Sequence, residues 1–247
     1  MNSSELKWEG DDRPPANWRR LAEAAWLLPR MLSVLRRART LGPQAGPPAL
    51  VIPGWAASDR TTRALREALA DAGWRVHGWK LGFNRGATAE TVDHLRRRLS
   101  AVGEGRPVLL VGWSLGGVYA RELARAAPGQ ALAVVTLGSP FSGDPKQNNV
   151  WRLYEWIAGH RVDEPPIPRV TGKPPVPHLA IWSRKDGIVA PRAARGLEHE
   201  RDKAVELNCT HMAFGVSKAA ARQVVQEIER FLEEEGIAPS RGIDSRP

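Results

Sequence analysis

Apolar positions along the chain fall into short, nearly continuous runs. Between them lie longer stretches in which apolar residues return every three or four positions. Ala49–Ile52, Val108–Val111 and Ala131–Leu137 are runs of the first kind, and Trp74–Trp79, His178–Ser183 and Ala204–Leu207 extend the series. Runs of this length and β-branched content predict strands buried on both faces. Leu65, Ala68, Leu69 and Ala72 share one face of a predicted helix that Ser58 or Asp59 can cap and Gly73 ends. A second helix is predicted from Thr88 through Leu95 and Leu99, a third over Val118–Ala127 closed by Pro128-Gly129, and a last one over Ala219–Glu233. Strands alternating with helices of this length predict an α/β fold, a mostly parallel sheet with helices on both faces. In such sheets ligands collect at the carboxyl ends of the strands.

Two segments depart from this rhythm. From Asn17 to Arg39, Leu21, Ala24, Ala25, Leu28, Leu32 and Leu35 recur at helical spacing with Arg19, Arg20, Arg36, Arg37 and Arg39 on the flanks. A basic amphipathic helix of this kind can rest weakly on an anionic lipid surface, although packing on a domain's flank is the commoner use. Glu23 and Pro29-Arg30 interrupt its apolar centre, so no secretory signal is predicted, and no stretch is long enough to cross a membrane. The second segment, 141–176, holds the aromatic run Val150-Trp-Arg-Leu-Tyr-Glu-Trp-Ile157 and then prolines, and it is expected to form a small cap or a structural excursion on the flank. The expected organisation is an N-terminal arm and helix over 1–48, one α/β domain over 49–235 and a flexible tail over 236–247.

Composition narrows the picture. A single cysteine, Cys209, excludes an internal disulfide framework and a cysteine-based metal cluster, and a reduced cytoplasm is the default expectation. The formal net charge of +9 admits nucleic-acid binding. The arginines, however, are spread over several helices and no nucleic-acid module accompanies them, so a solubilising surface is expected instead.

The candidate chemistry centres on Gly112-Trp-Ser-Leu-Gly-Gly117, which follows a predicted buried strand and opens a predicted helix. In a G-x-S-x-G turn the serine is forced into a strained conformation that lifts its hydroxyl, and the glycines remove side chains that would collide. Serine needs a base, and the base needs an orienting acid. Of the six histidines, His77 and His94 precede Ser114, His160 lies in the insertion, His178 begins a strand and His199 lies in a charged stretch. Only His211 follows the last predicted strand, where a base can swing over the turn. Asp186, just past the strand His178–Ser183, is the first candidate acid, ahead of Glu206, Asp202 and Asp144. An oxyanion would be met by the backbone N–H of Leu115 and by one from the loop after the first strand, Trp55 first and Ala56 second. Trp55, Trp113, Phe83, Trp151 and Trp156 are candidates for an apolar acyl pocket.

With Ile52-Pro-Gly-Trp55, the serine turn, Leu137-Gly-Ser-Pro140, Asp186-Gly187 and Thr210-His211 in place, the chain between Ala49 and Glu233 resembles the α/β-hydrolase superfamily, in its esterase and lipase branch. The resemblance implies acyl-serine chemistry with no metal or organic cofactor and a small-molecule or lipid-like ester as substrate. Proline stands where many lipases have the histidine of a His-Gly oxyanion motif. The same fold hosts thioesterases, acyltransferases and silent binding members. No histidine begins an H-x-x-x-x-D acyltransferase motif, and the intact serine, base and acid disfavour a silent member.

Overall fold

In the computed structural model, which describes residues 18, 19, 23, 41–88, 90–143 and 172–237, six parallel strands form one sheet. The strands are β1 (Pro48–Ile52), β2 (Arg75–Gly78), β3 (Val108–Trp113), β4 (Ala131–Leu137), β5 (His178–Trp182) and β6 (Lys203–Glu206), in the spatial order β2-β1-β3-β4-β5-β6. The main helices are α1 (Arg63–Asp71), α2 (Thr91–Gly103), α3 (Leu115–Ala126), α4 (Pro191–Arg195), α5 (His211–Val216) and α6 (Lys218–Glu234). Every residue of β1, β3 and β5 is buried, which is why these strands read as unbroken apolar runs. The edge strand β6 is only partly buried and carries lysine and glutamate.

Side chains alternate between two cores. Ala49, Val51, Leu109, Val111, Val135 and Ile181 point to one face, where Leu65 and Leu69 of α1 and Val224, Ile228 and Phe231 of α6 cover them. Leu50, Ile52, Leu110 and Val134 point to the other, under Leu95, Leu99 and Val102 of α2 and Tyr119, Ala120 and Leu123 of α3. Each buried valine, leucine, isoleucine or phenylalanine among them stabilises the fold by about 1.5–3 kcal/mol relative to exposure. No helix among the described residues is long and apolar enough to cross a membrane.

The pairing register brings the strand ends level, with Ile52 opposite Gly112, Trp113 opposite Leu137, and Leu137 opposite Ile181. The chain leaves β1 toward β2 on one side and returns as β3 on the other. That reversal falls at the carboxyl ends of β1 and β3, the place where open α/β sheets bind ligands.

Two expectations need correction. Neither Ser58 nor Asp59 caps the first helix, which begins at Arg63 after Thr62. Asp59 instead accepts the N–H groups of Trp79 (2.9 Å) and Lys80 (3.1 Å), fastening the end of β2. Thr88 also lies outside its helix, which starts at Thr91, though its N–H donates to the Thr91 hydroxyl at 2.7 Å. The expected helix over 17–39, apart from Trp18, Arg19 and Glu23, and most of the insertion 141–176 lie outside the described residues.

Candidate active site

Ser114 stands between β3 and α3 with φ 53° and ψ −123°, a conformation that costs a non-glycine residue about 1–3 kcal/mol. The surroundings hold it there. A Cβ on Gly112 would lie 2.3 Å from the Gly116 carbonyl oxygen, and one on Gly116 would lie 2.2 Å from that of Ile52. Helix α3 can therefore start directly over the end of β1 only because both positions lack side chains. The Ser114 N–H donates to the Leu137 carbonyl at 2.9 Å, tying the turn to the end of β4.

The next residue, Gly138, has φ 53°, and a Cβ there would lie 2.9 Å from Asp186 Oδ2 and 3.2 Å from His211 Nδ1. Leu137 and Gly138 thus connect the serine turn to a buried carboxylate–imidazole pair. His211 Nδ1 lies 2.7 Å from Asp186 Oδ2, and both side chains are almost fully buried. The other oxygen, Asp186 Oδ1, accepts the N–H groups of Ile188 (2.8 Å) and Val189 (2.7 Å). A carboxylate held this way has one oxygen left, so the imidazole must present Nδ1–H to it and keep Nε2 as the free basic nitrogen. Burial pushes the His211 pKa down, but the Asp186 charge and hydrogen bond, helped by Glu23, outweigh it, and the net direction is upward from 6.5.

The loop after β1 passes beside the serine. A Cβ on Gly54 would lie 3.0 Å from Ser114 Cβ. Ala56, at φ 52°, donates its N–H to the Asn84 carbonyl at 2.8 Å, so it is not available to an oxyanion. Among the described residues nothing accepts from the N–H of Trp55 or of Leu115. Asn84 is fully buried, and its side-chain amide donates to the Pro53 carbonyl at 2.9 Å while its Oδ1 accepts from Gly86 at 3.1 Å. Sequence reasoning missed this residue, since its partner Pro53 is 31 positions upstream.

Solved structures with the same architecture include an α/β hydrolase from a sediment metagenome of the Mar Chica lagoon, Morocco. It is 19% identical, with a TM-score of 0.58 over 80% of this chain and 94% of that one. Naproxen esterase from Bacillus subtilis is 13% identical, with a TM-score of 0.55 over 87% of this chain and 100% of that one. The thioesterase domain from the curacin biosynthetic pathway is 13% identical, with a TM-score of 0.57 over 76% and 93%. The chain has the α/β-hydrolase fold. No family model and no curated protein sequence matches it.

Within this hydrolase fold the remaining candidates fall in different places. Trp113, expected in the acyl pocket, packs behind the histidine: its indole N–H donates to the His211 carbonyl at 3.2 Å and its ring lies 5.7 Å from the imidazole. Phe83 is 57% exposed on the loop after β2. Trp151, Trp156, His160 and the alternative acid Asp144 lie outside the described residues. Asp202 pairs with Lys173 and accepts the His178 N–H, and Glu206 pairs with Arg184. His178 is a buried structural residue whose Nδ1 meets Arg121 at 2.8 Å and whose Nε2 meets Thr136 at 3.1 Å. Burial, then the Arg121 charge, holds its pKa well below 6.5. Burial, then the Asp186 and Glu23 charges, pushes the Cys209 thiol up to about 12, away from the thiolate form that reacts.

Proposed function

We propose that the protein is a serine hydrolase that cleaves hydrophobic carboxylic esters through an acyl-serine intermediate, with Ser114 as nucleophile, His211 as base and Asp186 as orienting acid. The observation that carries this reading is the strained Ser114 tied through Leu137-Gly138 to the buried Asp186–His211 pair. His211 Nε2 takes the hydroxyl proton as Ser114 Oγ attacks the ester carbonyl. The imidazolium formed is stabilised by Asp186 Oδ2. The N–H groups of Leu115 and Trp55 meet the oxyanion, and Asn84 holds the Trp55 loop in place. Collapse of the tetrahedral intermediate expels the alcohol, protonated by His211, and water repeats the sequence to release the acid.

A thioester is the second substrate class, favoured by the thioesterases among the structures that share the fold. It would use the same residues. Hydrolysis of p-nitrophenyl esters from acetate to palmitate, and of the matching acyl thioesters, tests both. Turnover that peaks at one chain length and vanishes in Ser114→Ala is expected; a folded protein that cleaves no member of either series overturns the proposal. A competing alcohol that diverts product from acid to new ester would move the reading from hydrolysis to acyl transfer.

A further inference from the structure

Glu23 is 3% exposed, yet it comes from the segment ahead of the sheet. Its Oε1 accepts the N–H of His211 at 2.6 Å, across 188 positions of sequence, and that of Gly187 at 3.2 Å. Its Oε2 accepts the N–H of Met212 at 3.0 Å. These three donors belong to the two loops that carry the acid and the base. Gly187 follows Asp186, and His211 and Met212 open α5.

The first N–H groups of a helix have no partner within it. Thr210, which precedes α5, makes no side-chain cap, and its buried hydroxyl has no hydrogen-bond partner among the described residues. The Glu23 carboxylate therefore satisfies donors that the base loop leaves open. Leaving a buried N–H unpaired is costly, so the orientation of the His211 backbone depends on this carboxylate. Gly187 is shaped for the contact, since a Cβ there would lie 3.0 Å from Glu23 Cγ and 2.9 Å from the Arg19 carbonyl oxygen. Arg19 adds a second clasp by donating to the Arg184 carbonyl at 3.0 Å. Ser183 joins the same two loops from within the domain, its hydroxyl donating to the Cys209 carbonyl at 2.6 Å.

We propose that Glu23 is a positioning residue of the active site, locking the loop of Asp186 to the loop of His211. This rests on the reading of Ser114, Asp186 and His211 given above. A capping role alone could be filled by a neutral oxygen. A carboxylate also places negative charge beside the imidazolium that forms during the reaction. Among the described residues the charged groups that act on His211 are Asp186 after β5 and Glu23 from the N-terminal segment, and the uncharged Trp113 ring of β3 lies against the imidazole.

The test uses the full chain with Glu23→Gln and Glu23→Asp. Gln keeps the shape but turns an amide donor toward backbone N–H groups and removes the charge. In histidine-labelled protein followed by NMR, the His211 imidazole should titrate at lower pH in Glu23→Gln than in wild type, because the Glu23 charge raises its pKa. The kcat should fall about 10–100-fold with KM nearly unchanged, and the acid limb of kcat/KM should move down in step with the titration. Asp restores the charge at shorter reach, so its titration should return toward wild type with kcat between the two. A folded Glu23→Gln protein whose His211 titration and kcat match wild type overturns the proposal. Should that variant not fold, amide exchange in the wild-type chain decides: the His211, Met212 and Gly187 amides must be protected, and fast exchange at His211 and Met212 overturns it. Titration and exchange need no turnover. A shifted His211 in a protein that cleaves no ester would retire the hydrolase reading and leave the positioning role standing.

Discussion

Replacing Asp186 by asparagine tests the geometry of the candidate site in a way the structure makes quantitative. Asp186 Oδ1 accepts two backbone N–H groups, from Ile188 at 2.8 Å and Val189 at 2.7 Å. In Asp186→Asn the carbonyl oxygen must occupy that position, because the amide NH₂ would face two donors there. The NH₂ is then left facing His211 Nδ1, 2.7 Å from the atom it replaces. To accept from it, Nδ1 must give up its proton, which moves to Nε2, the nitrogen required to take the Ser114 proton. The base is thus held in the wrong tautomer, a change worth about 10⁴-fold in kcat, or about 5 kcal/mol of barrier. Folding should suffer little, since the shape and both backbone hydrogen bonds survive; a loss of about 1–2 kcal/mol is expected. Asp186→Ala should behave differently, stranding two buried N–H groups at about 1–3 kcal/mol each. The assay is kcat on a p-nitrophenyl ester, together with denaturant unfolding of all three proteins. An Asp186→Asn enzyme within tenfold of wild type would show that another group orients His211, and the tautomer argument would fail.

Other outcomes follow from the same contacts. Asn84→Ala frees the Pro53 carbonyl and removes the side-chain tie of the Trp55 loop while the backbone bonds of residue 84 to Ala56 and Ala57 remain, so kcat should drop by about tenfold while KM changes little; an unchanged kcat would show that the Asn84 side chain does not position the Trp55 N–H. Gly116→Ala drives a methyl to 2.2 Å from the backbone oxygen of Ile52, where nothing can yield, and soluble folded protein should be lost; a variant that melts with wild type would contradict the packing. The raised His211 pKa means that kcat/KM should climb with pH through a midpoint above 6.5, because the base works only when neutral, and a midpoint at or below 6.5 would refute the balance of charges around it. His178 acts in the opposite sense. Its pKa is depressed in the folded state, so the unfolded chain binds the proton first, and stability should fall by about 1 kcal/mol between pH 7.5 and 5.5 on this account. His178→Gln, though less stable overall, should flatten that slope; an unaltered slope would point to another group.

Much of the architecture was legible because it is written locally. Strands buried on both faces appear as apolar runs, and helices that cover them carry leucines at helical spacing, so β1, β3, β4 and α6 fall within one or two residues of their expected positions. The meeting of Asp186 with His211 follows from chain order, because both lie just past parallel strands that run side by side. What escaped was non-local. Helices α4 and α5, of 5 and 6 residues, are too short to show a period. Asp59 looks like a cap, but its two partners lie 20 and 21 positions away. Asn84 sits in an unremarkable loop whose backbone happens to run beside Pro53. Glu23 reads as a charge interrupting an apolar helix, and nothing in its neighbours points to donors 164 and 188 residues further on. A buried polar group is defined by what surrounds it, and for these residues the surroundings arrive only with the fold.

The central claim is that Ser114 is an activated nucleophile. Intact-protein mass spectrometry after exposure to a fluorophosphonate, followed by a peptide map, addresses it directly. An activated Ser114 should give one adduct per chain, located on Ser114, formed more slowly as His211 becomes protonated and absent from Ser114→Ala. Folded wild-type protein that remains unlabelled, or a Ser114→Ala variant that labels as fast as wild type, would contradict it.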